Sequence, residues 1–312
     1  MYINMKILIT GGTGLVGHGF KKISNQFDHD IVYASSKDCD LANFDQTNNY
    51  IKSLNVECVI HLAANVGGLY KNMNFKVDMF EKNMVMNYNV LKACHDNNVD
   101  KFIGMLSTCI FPDDTTYPIN ERMLHDGPPH CSNDAYAYAK RMLDIHCQAY
   151  NEQYNTNYNC IVPTNIYGDN DNYNLDDAHV LPALIHKCYL AKKSGEDFET
   201  RGTGKPLRQF IHADDLARVI LQLVPKLNQE NVIVSPTEEY SIAQVATYVA
   251  RAFDYEHALV FNTTYSDGQY KKTADNSKLL NLLPKTTFKL LETGVQETVE
   301  YFIKNYPSKV RI

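Results

Sequence analysis

The chain opens with a short apolar run joined to a glycine-rich loop, and this pair restricts the fold more than any other stretch. Lys6-Ile7-Leu8-Ile9-Thr10 has the apolar character of a buried strand. Gly11-Gly12-Thr13-Gly14-Leu15-Val16-Gly17 follows directly and leads into a predicted helix that runs to about Ile23. Glycines let the backbone approach a pyrophosphate, and the helix N-terminus is aimed at its charge. We therefore expect a dinucleotide site lined by Gly11, Gly14, Leu15, Val16 and Gly17.

Strand and helix patterns alternate over residues 1–168, which predicts a parallel, doubly wound sheet. Further strands are predicted at residues 30–37, 57–64, 101–106 and 159–162, and long helices at 72–97 and 134–154. Past residue 168 a polar loop leads to a smaller set of helices and strands. We therefore expect an α/β protein of Rossmann type, with a cofactor domain at 1–168, a returning segment near 208–235, and a smaller C-terminal α/β domain at 169–312.

The end of the second predicted strand indicates which dinucleotide is bound. A site that prefers NAD usually places an Asp or Glu there to hold the ribose 2′-hydroxyl, whereas this chain has Ser35-Ser36-Lys37. Because two hydroxyls and a cation suit a 2′-phosphate, we favour NADP, held by Ser36 and Lys37. The alternative is that Lys37 is an ordinary solvated loop residue. Further cofactor contacts are expected from Asp40 and Leu41 near the adenine, and from Leu62, Ala63 and Ala64 after the third strand.

Tyr136 and Lys140 are four residues apart in a segment with helical character, so their side chains share one face. A nearby lysine cation favours the phenolate and lowers the tyrosine pKa. Such a pair can serve as a general acid or base at an oxygen during hydride transfer. The alternative is that both residues simply lie on a helix surface, since this spacing is common by chance.

Composition and charge exclude several classes of function. The net charge of −6 argues against a general binder of nucleic acid or anionic membranes. No apolar run is long enough for a transmembrane helix, and the start at Met1 lacks the features of a signal peptide. The eight cysteines form no C-x-x-C pair and no cluster with zinc spacing. We therefore expect free thiols, no metal site and a cytoplasmic location.

Taken with these features, six stretches carry a resemblance to a known family. The chain resembles the extended short-chain dehydrogenase/reductase superfamily, and within it the epimerase/reductases that act on GDP-4-keto-6-deoxy-D-mannose. The likeness spans nearly the whole chain. The stretches are Ser107-Thr108-Cys109-Ile110-Phe111-Pro112, His125-Asp126-Gly127-Pro128-Pro129-His130, Tyr136 to Arg141, Pro163-Thr164-Asn165, His179-Val180-Leu181-Pro182 and Ser266-Asp267-Gly268-Gln269.

The resemblance implies a role for each residue of a catalytic triad. Ser107 would hydrogen-bond the C4 carbonyl of the substrate. Tyr136 would donate a proton to that oxygen as hydride arrives. Lys140 would tune Tyr136 and hold the nicotinamide ribose.

Cys109 and His179 extend the implied chemistry to epimerisation. The protons at C3 and C5 of a 4-keto sugar are acidic, and inversion needs a base on one face and an acid on the other. Cys109 fits the base if a nearby cation lowers the thiol pKa, and His179 fits the acid because histidine titrates near neutrality. The alternatives are a buried structural thiol and a histidine at a helix start. The implied reaction is epimerisation at C3 and C5 followed by NADPH-dependent reduction at C4, giving GDP-L-fucose.

The resemblance also implies contacts with the cofactor and with the GDP-sugar substrate. Cofactor contacts are expected from Tyr136, Lys140, Pro163, Asn165 and His179. Substrate contacts are expected from Ser107, Asn165, Val180, Lys187, Arg201, Arg208 and Lys272, with Arg208 and Lys187 as the pair for the diphosphate. Each basic residue could instead be a solvated surface charge. Two departures from some family members, Gly12-Thr13 in place of an arginine and Arg201 in place of a tryptophan, leave the guanine contact and the cofactor preference open.

The same fold also serves other functions. Another NAD(P)-dependent nucleotide-sugar epimerase or dehydratase is the main alternative. A dehydratase typically has an acidic pair where this chain has Cys109-Ile110, and a simple 4-epimerase has no need of Cys109 and His179. A non-catalytic NADP-sensing protein usually loses the tyrosine or the lysine, and both are present here.

The resemblance further implies a homodimer. In such a dimer the helices at 72–97 and 136–154 of two copies would pair into a four-helix bundle. The sequence predicts the helices, and the pairing between copies comes from the resemblance alone.

Overall fold

A six-stranded parallel sheet forms the centre of the protein in this computed structural model. Its strand order is β10-β5-β4-β3-β1-β2, and each neighbouring pair is parallel. The carboxyl ends of these strands therefore share one edge of the sheet, where ligands bind in open α/β folds. The strands of the protein are β1 (Lys6–Thr10), β2 (Asp30–Ala34), β3 (Cys58–His61), β4 (Lys101–Met105), β5 (Asn157–Pro163), β6 (Asn165–Tyr167), β7 (Phe198–Arg201), β8 (Leu207–Arg208), β9 (Phe210–His212), β10 (Asn231–Val234), β11 (Tyr240–Ser241) and β12 (Leu259–Asn262).

Helices cover both faces of the sheet, which confirms the predicted doubly wound α/β class. They are α1 (Leu15–Ile23), α2 (Phe44–Leu54), α3 (Leu69–Asn74), α4 (Lys76–Asp96), α5 (Asp134–Tyr154), α6 (Val180–Ser194), α7 (Ala213–Leu223), α8 (Ile242–Ala252), α9 (Ser277–Leu282) and α10 (Leu291–Asn305). Ile7 and Ile9 pack with the cluster of α1 and α7, whereas Leu8 packs with that of α2, α4 and α5. Burial on both faces explains why the strand sequences are uninterrupted apolar runs.

The structure describes residues 4–265, 267 and 269–312. Met1, Ser266 and Gly268, which entered the sequence analysis, lie outside the described residues. Within the described ranges, no helix has the length and apolar character needed to cross a membrane. The same residues contain no group of three or more His, Cys, Asp or Glu side chains placed to hold a metal ion.

Part of the chain beyond β6 packs on the central sheet and its helices, and the rest forms a second apolar cluster. Strand β10 joins the central sheet beside β5, and α7 packs on α1 with Gly19 facing the carbonyl of Ala213. Helices α6, α8 and α10 instead form a separate apolar cluster with β7. This arrangement agrees with a segment that returns to the first half of the chain. The exact division into residues 1–168 and 169–312 stays a prediction.

Helix α5 begins and ends where its local sequence directs. Asp134 lies in the first turn, where a carboxylate interacts favourably with the helix N-terminus, and it forms an ion pair with Lys76 at 2.7 Å. Asn155 ends the helix in a left-handed conformation with φ of 53°. Ala137 and Ala139 are buried, and α5 packs along α4. The predicted helix at 134–154 is therefore confirmed.

Three predicted elements have different limits in the structure. The strand predicted at 30–37 ends at Ala34, because Ser35 turns to donate hydrogen bonds to the Asp38 carboxylate. The strand predicted at 57–64 covers only Cys58–His61. The single helix predicted at 72–97 is divided at Phe75, where φ is −124° and ψ is 45°. Just before the break, the Asn74 side chain donates to the Tyr70 carbonyl, a local bond of the kind that bends helices.

Candidate active site

The glycine-rich loop packs so closely against neighbouring backbone that a side chain at Gly11 or Gly17 would clash with it. Gly11 has φ of +68°, and a Cβ there would lie 2.8 Å from the Ala63 nitrogen. A Cβ on Gly17 would lie 2.7 Å from the Gly11 carbonyl oxygen. Gly14 caps α1 without a side-chain hydrogen bond, so the first N–H groups of that helix are available to an anion. The loop and the half-buried Leu15 and Val16 therefore fit a pyrophosphate.

The turn after β2 presents Ser36 and Lys37 to solvent. Asp38 is the nearby acid that the sequence analysis missed, and its Oδ2 accepts from the Ser35 N–H at 2.8 Å and from the Ser35 hydroxyl at 2.6 Å. These bonds lower the pKa of the Asp38 carboxyl. Because this carboxylate is engaged inside the turn, Ser36 and Lys37 remain as the exposed groups that can meet a phosphate. Asp40, which is exposed, and the half-buried Leu41 follow in the next turn.

Helix α5 is tied to the end of β4 by Lys140. Its Nζ is buried and donates to the Met105 carbonyl at 2.8 Å. Ser107 lies two residues further on and begins a short 3-10 turn, Thr108–Ile110, where its Oγ accepts from the Cys109 N–H at 3.4 Å. The Lys140 Nζ also lies 5.8 Å from the ring centroid of Tyr136. The structure thus brings together Ser107, Cys109, Tyr136 and Lys140.

Burial reverses the predicted effect of Lys140 on Tyr136. Desolvation raises the pKa of Tyr136 well above its usual range, and the Cys109 thiol raises it further. The nearby Lys140 ammonium does not outweigh this desolvation, because its Nζ is directed to the Met105 carbonyl and is itself desolvated. Burial lowers the pKa of Lys140 to about 8, although the Cys109 and Cys160 thiols act in the opposite direction.

The positive charge of Lys272 lowers the pKa of both Cys109 and His179. Burial raises the pKa of the Cys109 thiol, while Lys272, a hydrogen bond with Ser107, and Lys140 each lower it. The predicted cations are therefore present, but desolvation outweighs them and the expected lowering is wrong. His179 is the cap residue before α6 and is exposed, yet desolvation by the surrounding protein lowers its pKa; Asp177 raises it and Lys272 lowers it. Lys272 and Cys109 line the same cavity, whereas His179 is not among its lining residues.

A small cavity lies beside Cys109, and Lys272, a predicted substrate contact, lines it. Its walls also include residues that had no predicted role: Thr108, Phe111, Tyr117, His130 and Gln269. The Nδ1 atom of His130 accepts the Ser132 N–H at 3.1 Å, so the neutral ring carries its proton on Nε2. The only sequence signal for His130 was its place at the end of the stretch 125–130.

Arg208 reaches the same cavity through main-chain contacts. Its Nη2 donates to the Gln269 carbonyl at 2.6 Å, and the Gln269 side chain donates to the Tyr117 hydroxyl at 3.2 Å. Burial lowers the pKa of Arg208, with Tyr117 and Glu239 raising it. Asn165 lies at the start of β6, after the buried Pro163, and its Nδ2 donates to the Gln209 carbonyl at 2.9 Å.

Lys187 lies beside Arg201 and not among the residues that line the Cys109 cavity. Burial lowers the pKa of Lys187, Arg201 lowers it further, and Glu199 raises it. The exposed Arg201 guanidinium stacks 4.5 Å from the ring centroid of Tyr265. Val180, the first residue of α6, follows His179. The predicted pairing of Lys187 with Arg208 on one diphosphate stays a prediction.

Asp267 holds the loop that carries Arg201. Its Oδ1 accepts the Thr203 N–H at 2.8 Å and its Oδ2 accepts the Thr203 hydroxyl at 2.6 Å. These bonds join segments that are 64 residues apart in the chain. Asp267 lies in one of the stretches that carry the family resemblance, but its position in the chain gave no sign of this role.

A buried hydrogen-bond chain lies behind Lys140. The Ala63 N–H donates to Thr10 Oγ1 at 3.3 Å, and Thr10 Oγ1 is 2.8 Å from His61 Nδ1. The other ring nitrogen of His61 lies 3.1 Å from Asn87 Oδ1, and Asn87 Nδ2 donates to the Ala139 carbonyl at 3.4 Å. Because Asn87 Oδ1 can only accept, His61 carries its proton on Nε2. Burial lowers the pKa of His61 to about 3, and Lys140 lowers it further.

The parallel sheet, the glycine-rich loop and the Tyr136–Lys140 pair define a class of nucleotide-dependent enzyme. The chain belongs to the NAD dependent epimerase/dehydratase family, whose sequence profile matches residues 7–243. This confirms the resemblance at the family level.

Relatives within this family are similar over nearly their whole length. A GDP-L-fucose synthase of Dictyostelium discoideum is 48% identical over 306 residues, which cover 96% of each chain. A probable GDP-L-fucose synthase of Drosophila melanogaster is 42% identical over 314 residues, which cover 96% of this chain and 98% of the relative. The crystal structure of a GDP-L-fucose synthetase from Naegleria fowleri bound to NADP has a TM-score of 0.93 at 44% identity, covering 100% of this chain and 96% of that one.

The lowered pKa of Lys140 predicts a dependence of stability on pH. Between the folded value of about 8 and the ordinary 10.5, the unfolded chain binds a proton that the folded protein does not. Stability due to this group therefore rises with pH across that window. Relative to Lys140→Met, we expect the free energy of unfolding of the wild type to increase by on the order of 3 kcal/mol. Urea unfolding at several pH values measures the difference, and a difference that is constant or falls with pH contradicts the prediction.

Proposed function

We propose that this protein converts GDP-4-keto-6-deoxy-D-mannose to GDP-L-fucose by epimerisation at C3 and C5 and reduction at C4. The observation that carries the proposal is the gathering of Ser107, Cys109, Tyr136 and Lys140 at the end of β4, with Lys272 acting on both Cys109 and His179. The names and near-complete overlap of the relatives support it. The protein is thus an oxidoreductase with epimerase activity.

The cofactor is NADP(H), which fits the glycine cradle and the turn after β2. The Gly11–Gly17 loop and the start of α1 would hold the pyrophosphate, and Ser36 and Lys37 would hold the 2′-phosphate. NADP in the related Naegleria fowleri structure supports this choice. When bound, NADPH supplies the hydride for reduction of the C4 ketone.

The epimerisations use residues on two sides of the sugar. Cys109 removes the acidic proton next to the ketone, and His179 returns a proton from the other face. Ser107 and Tyr136 hydrogen-bond the enolate oxygen between these steps. Because Lys272 and Lys140 both favour the thiolate, they oppose the desolvation that otherwise keeps Cys109 neutral.

The reduction depends on Tyr136 in its protonated form. Its raised pKa keeps the phenol protonated at neutral pH, so it can donate to the C4 oxygen. Lys140, with a pKa of about 8, is mostly charged at pH 7 and stabilises the phenolate that remains. Burial therefore keeps the phenol in the protonated form that the step needs, and the positive charge of Lys140 favours loss of that proton during the step.

The two parts of the reaction are separable by substitution. We expect Cys109→Ser to abolish deuterium incorporation at C3 and C5 of the 4-keto sugar in deuterated water, because the hydroxyl is a far weaker base. We expect Tyr136→Phe to slow NADPH oxidation by about 10²- to 10⁴-fold, since the proton donor is lost. NMR follows the exchange, and absorbance at the nicotinamide band follows the reduction.

Three outcomes would contradict this assignment. Unchanged deuterium exchange in Cys109→Ser would show that Cys109 is not the base. A normal rate of reduction in Tyr136→Phe would show that Tyr136 is not the proton donor. A wild-type protein that binds NADPH and consumes none with this sugar acts as a sensor. Turnover of a closed nucleotide sugar without net use of cofactor indicates a 4-epimerase or a dehydratase instead.

We also propose a homodimer through the exposed apolar faces of α4 and α5. Val77, Phe80 and Tyr88 recur at helical spacing on α4, and Tyr138, Met142 and Ile145 do so on α5. Because α4 and α5 pack side by side, these side chains form one patch, which is unusual for a monomer. A second copy of the chain docked on this patch would complete a four-helix bundle and cover the exposed apolar side chains of both helices.

Charge placed in this patch should dissociate the dimer. We expect Ile145→Glu to convert a dimer to a monomer, because a carboxylate would be buried without a partner. Ile303→Glu on α10 is the matched control, since Ile303 is also an exposed helical isoleucine (49% against 43% for Ile145) outside the patch. Sedimentation velocity measures both. A wild-type monomer, or a dimer unaffected by Ile145→Glu, rejects this interface.

A cytoplasmic location stays a prediction. All eight cysteines are free, and the neighbouring Cys147 and Cys160 have their sulfurs 3.9 Å apart, which is too far for a disulfide bond. Thiols in this state suit a reducing compartment.

A further inference from the structure

Arg141 follows Lys140 on α5 and is buried beneath the segment that carries Cys109. Its side chain is 5% exposed. Its Nε donates to the Ile110 carbonyl at 2.6 Å, and its Nη1 donates to the Gly127 carbonyl at 2.7 Å. A buried guanidinium without a carboxylate partner among these contacts is costly, so its two short bonds to main-chain carbonyls require an explanation.

Lys140 and Arg141 hold the two ends of one short segment. Lys140 binds the carbonyl of Met105, and Arg141 binds that of Ile110. Ser107 and Cys109 lie between these anchors. The intervening 3-10 turn has only three residues, and such a short turn has little stability of its own. The location of the Cys109 thiol therefore depends on the bonds to α5.

The second bond of Arg141 reaches another segment that contributes to the cavity wall. Gly127 belongs to the stretch 125–130, which ends at the cavity residue His130. The same stretch is joined to the Cys109 segment by the bond from the Asp113 N–H to the Pro128 carbonyl at 3.0 Å. One guanidinium thus fixes α5, the Cys109 turn and the 125–130 wall relative to one another.

We propose that Arg141 is a positioning residue that sets the place of the Cys109 thiol for proton abstraction, an inference that rests on the proposed function. The electrostatic interaction between Arg141 and Cys109 agrees with their proximity. The competing explanation is that Arg141 only satisfies buried carbonyls and stabilises the fold as a whole. The two explanations differ in whether loss of the Arg141 guanidinium disturbs Cys109 alone or loosens the whole fold.

Alkylation of the thiols separates these explanations without any substrate. Six other cysteines are buried and report loosening elsewhere: Cys39, Cys58, Cys94, Cys147, Cys160 and Cys188. In Arg141→Met we expect iodoacetamide to label Cys109 severalfold faster than in the wild type, with the six unchanged. Arg141→Lys keeps the charge and one bond, so it should fall between the two. Arg218→Met is the control, because Arg218 is a helical arginine that binds Asp215 and the Thr287 carbonyl away from this cavity.

The same variants should change the two parts of the reaction unequally. We expect Arg141→Met to lower deuterium exchange at C3 and C5 by about 10- to 100-fold, as small misplacement of a catalytic group does. Reduction of the already epimerised 4-keto sugar should keep most of its rate, because Lys140 still anchors the Ser107 end. Arg141→Lys should recover part of the exchange, and Arg218→Met should leave the ratio of the two rates unchanged.

Two results would overturn the proposal. One is labelling of Cys109 and exchange rates equal to those of the wild type in Arg141→Met. The other is a parallel rise in labelling of the six buried thiols in both Arg141 variants, which would assign Arg141 to general stability. If the wild type itself shows no exchange, the proposed function fails, and the labelling pattern still decides whether Arg141 positions the thiol.

Discussion

The bond between the Lys140 ammonium and the Met105 carbonyl is the contact on which the rest of the site depends. It joins α5 to the last residue of β4, and it is fully buried. Tyr136, one turn earlier on α5, and Ser107, two residues beyond the carbonyl, take their places from this join. A charged lysine is costly to bury, which explains why a main-chain carbonyl at the end of a strand is used to hold it.

Desolvation biases every proposed acid or base of this site toward its neutral form. It raises the pKa of Tyr136 and Cys109 and lowers that of Lys140 and His179. The charge of Lys272 works against this bias at Cys109. A site of this kind suits proton transfer between neutral partners, because charge forms only where a cation or a hydrogen bond can stabilise it.

Local features of the fold were predictable from the sequence, and features that depend on distant contacts were not. Strand β1 and helix α5 match their predicted limits because their strand run, helical period and terminal residues are local signals. The break at Phe75 and the early end of β2 follow from side-chain bonds that no periodicity shows. The pKa directions of Tyr136 and Cys109 were predicted wrongly, because spacing reveals a nearby cation and does not reveal burial. Contacts of Asp267 and Arg141 join distant segments and had no sequence signal beyond the motifs.

The hydrogen-bond chain from Ala63 to Ala139 holds His61 as a neutral ring behind Lys140. Both ring nitrogens of His61 are engaged, and its pKa of about 3 keeps the ring neutral beside Lys140. A further proton would break a bond at Thr10 and place a second charge next to the lysine. His61 therefore adds no second positive charge beside the Lys140 ammonium, and the cost of burying that ammonium is not increased from this side.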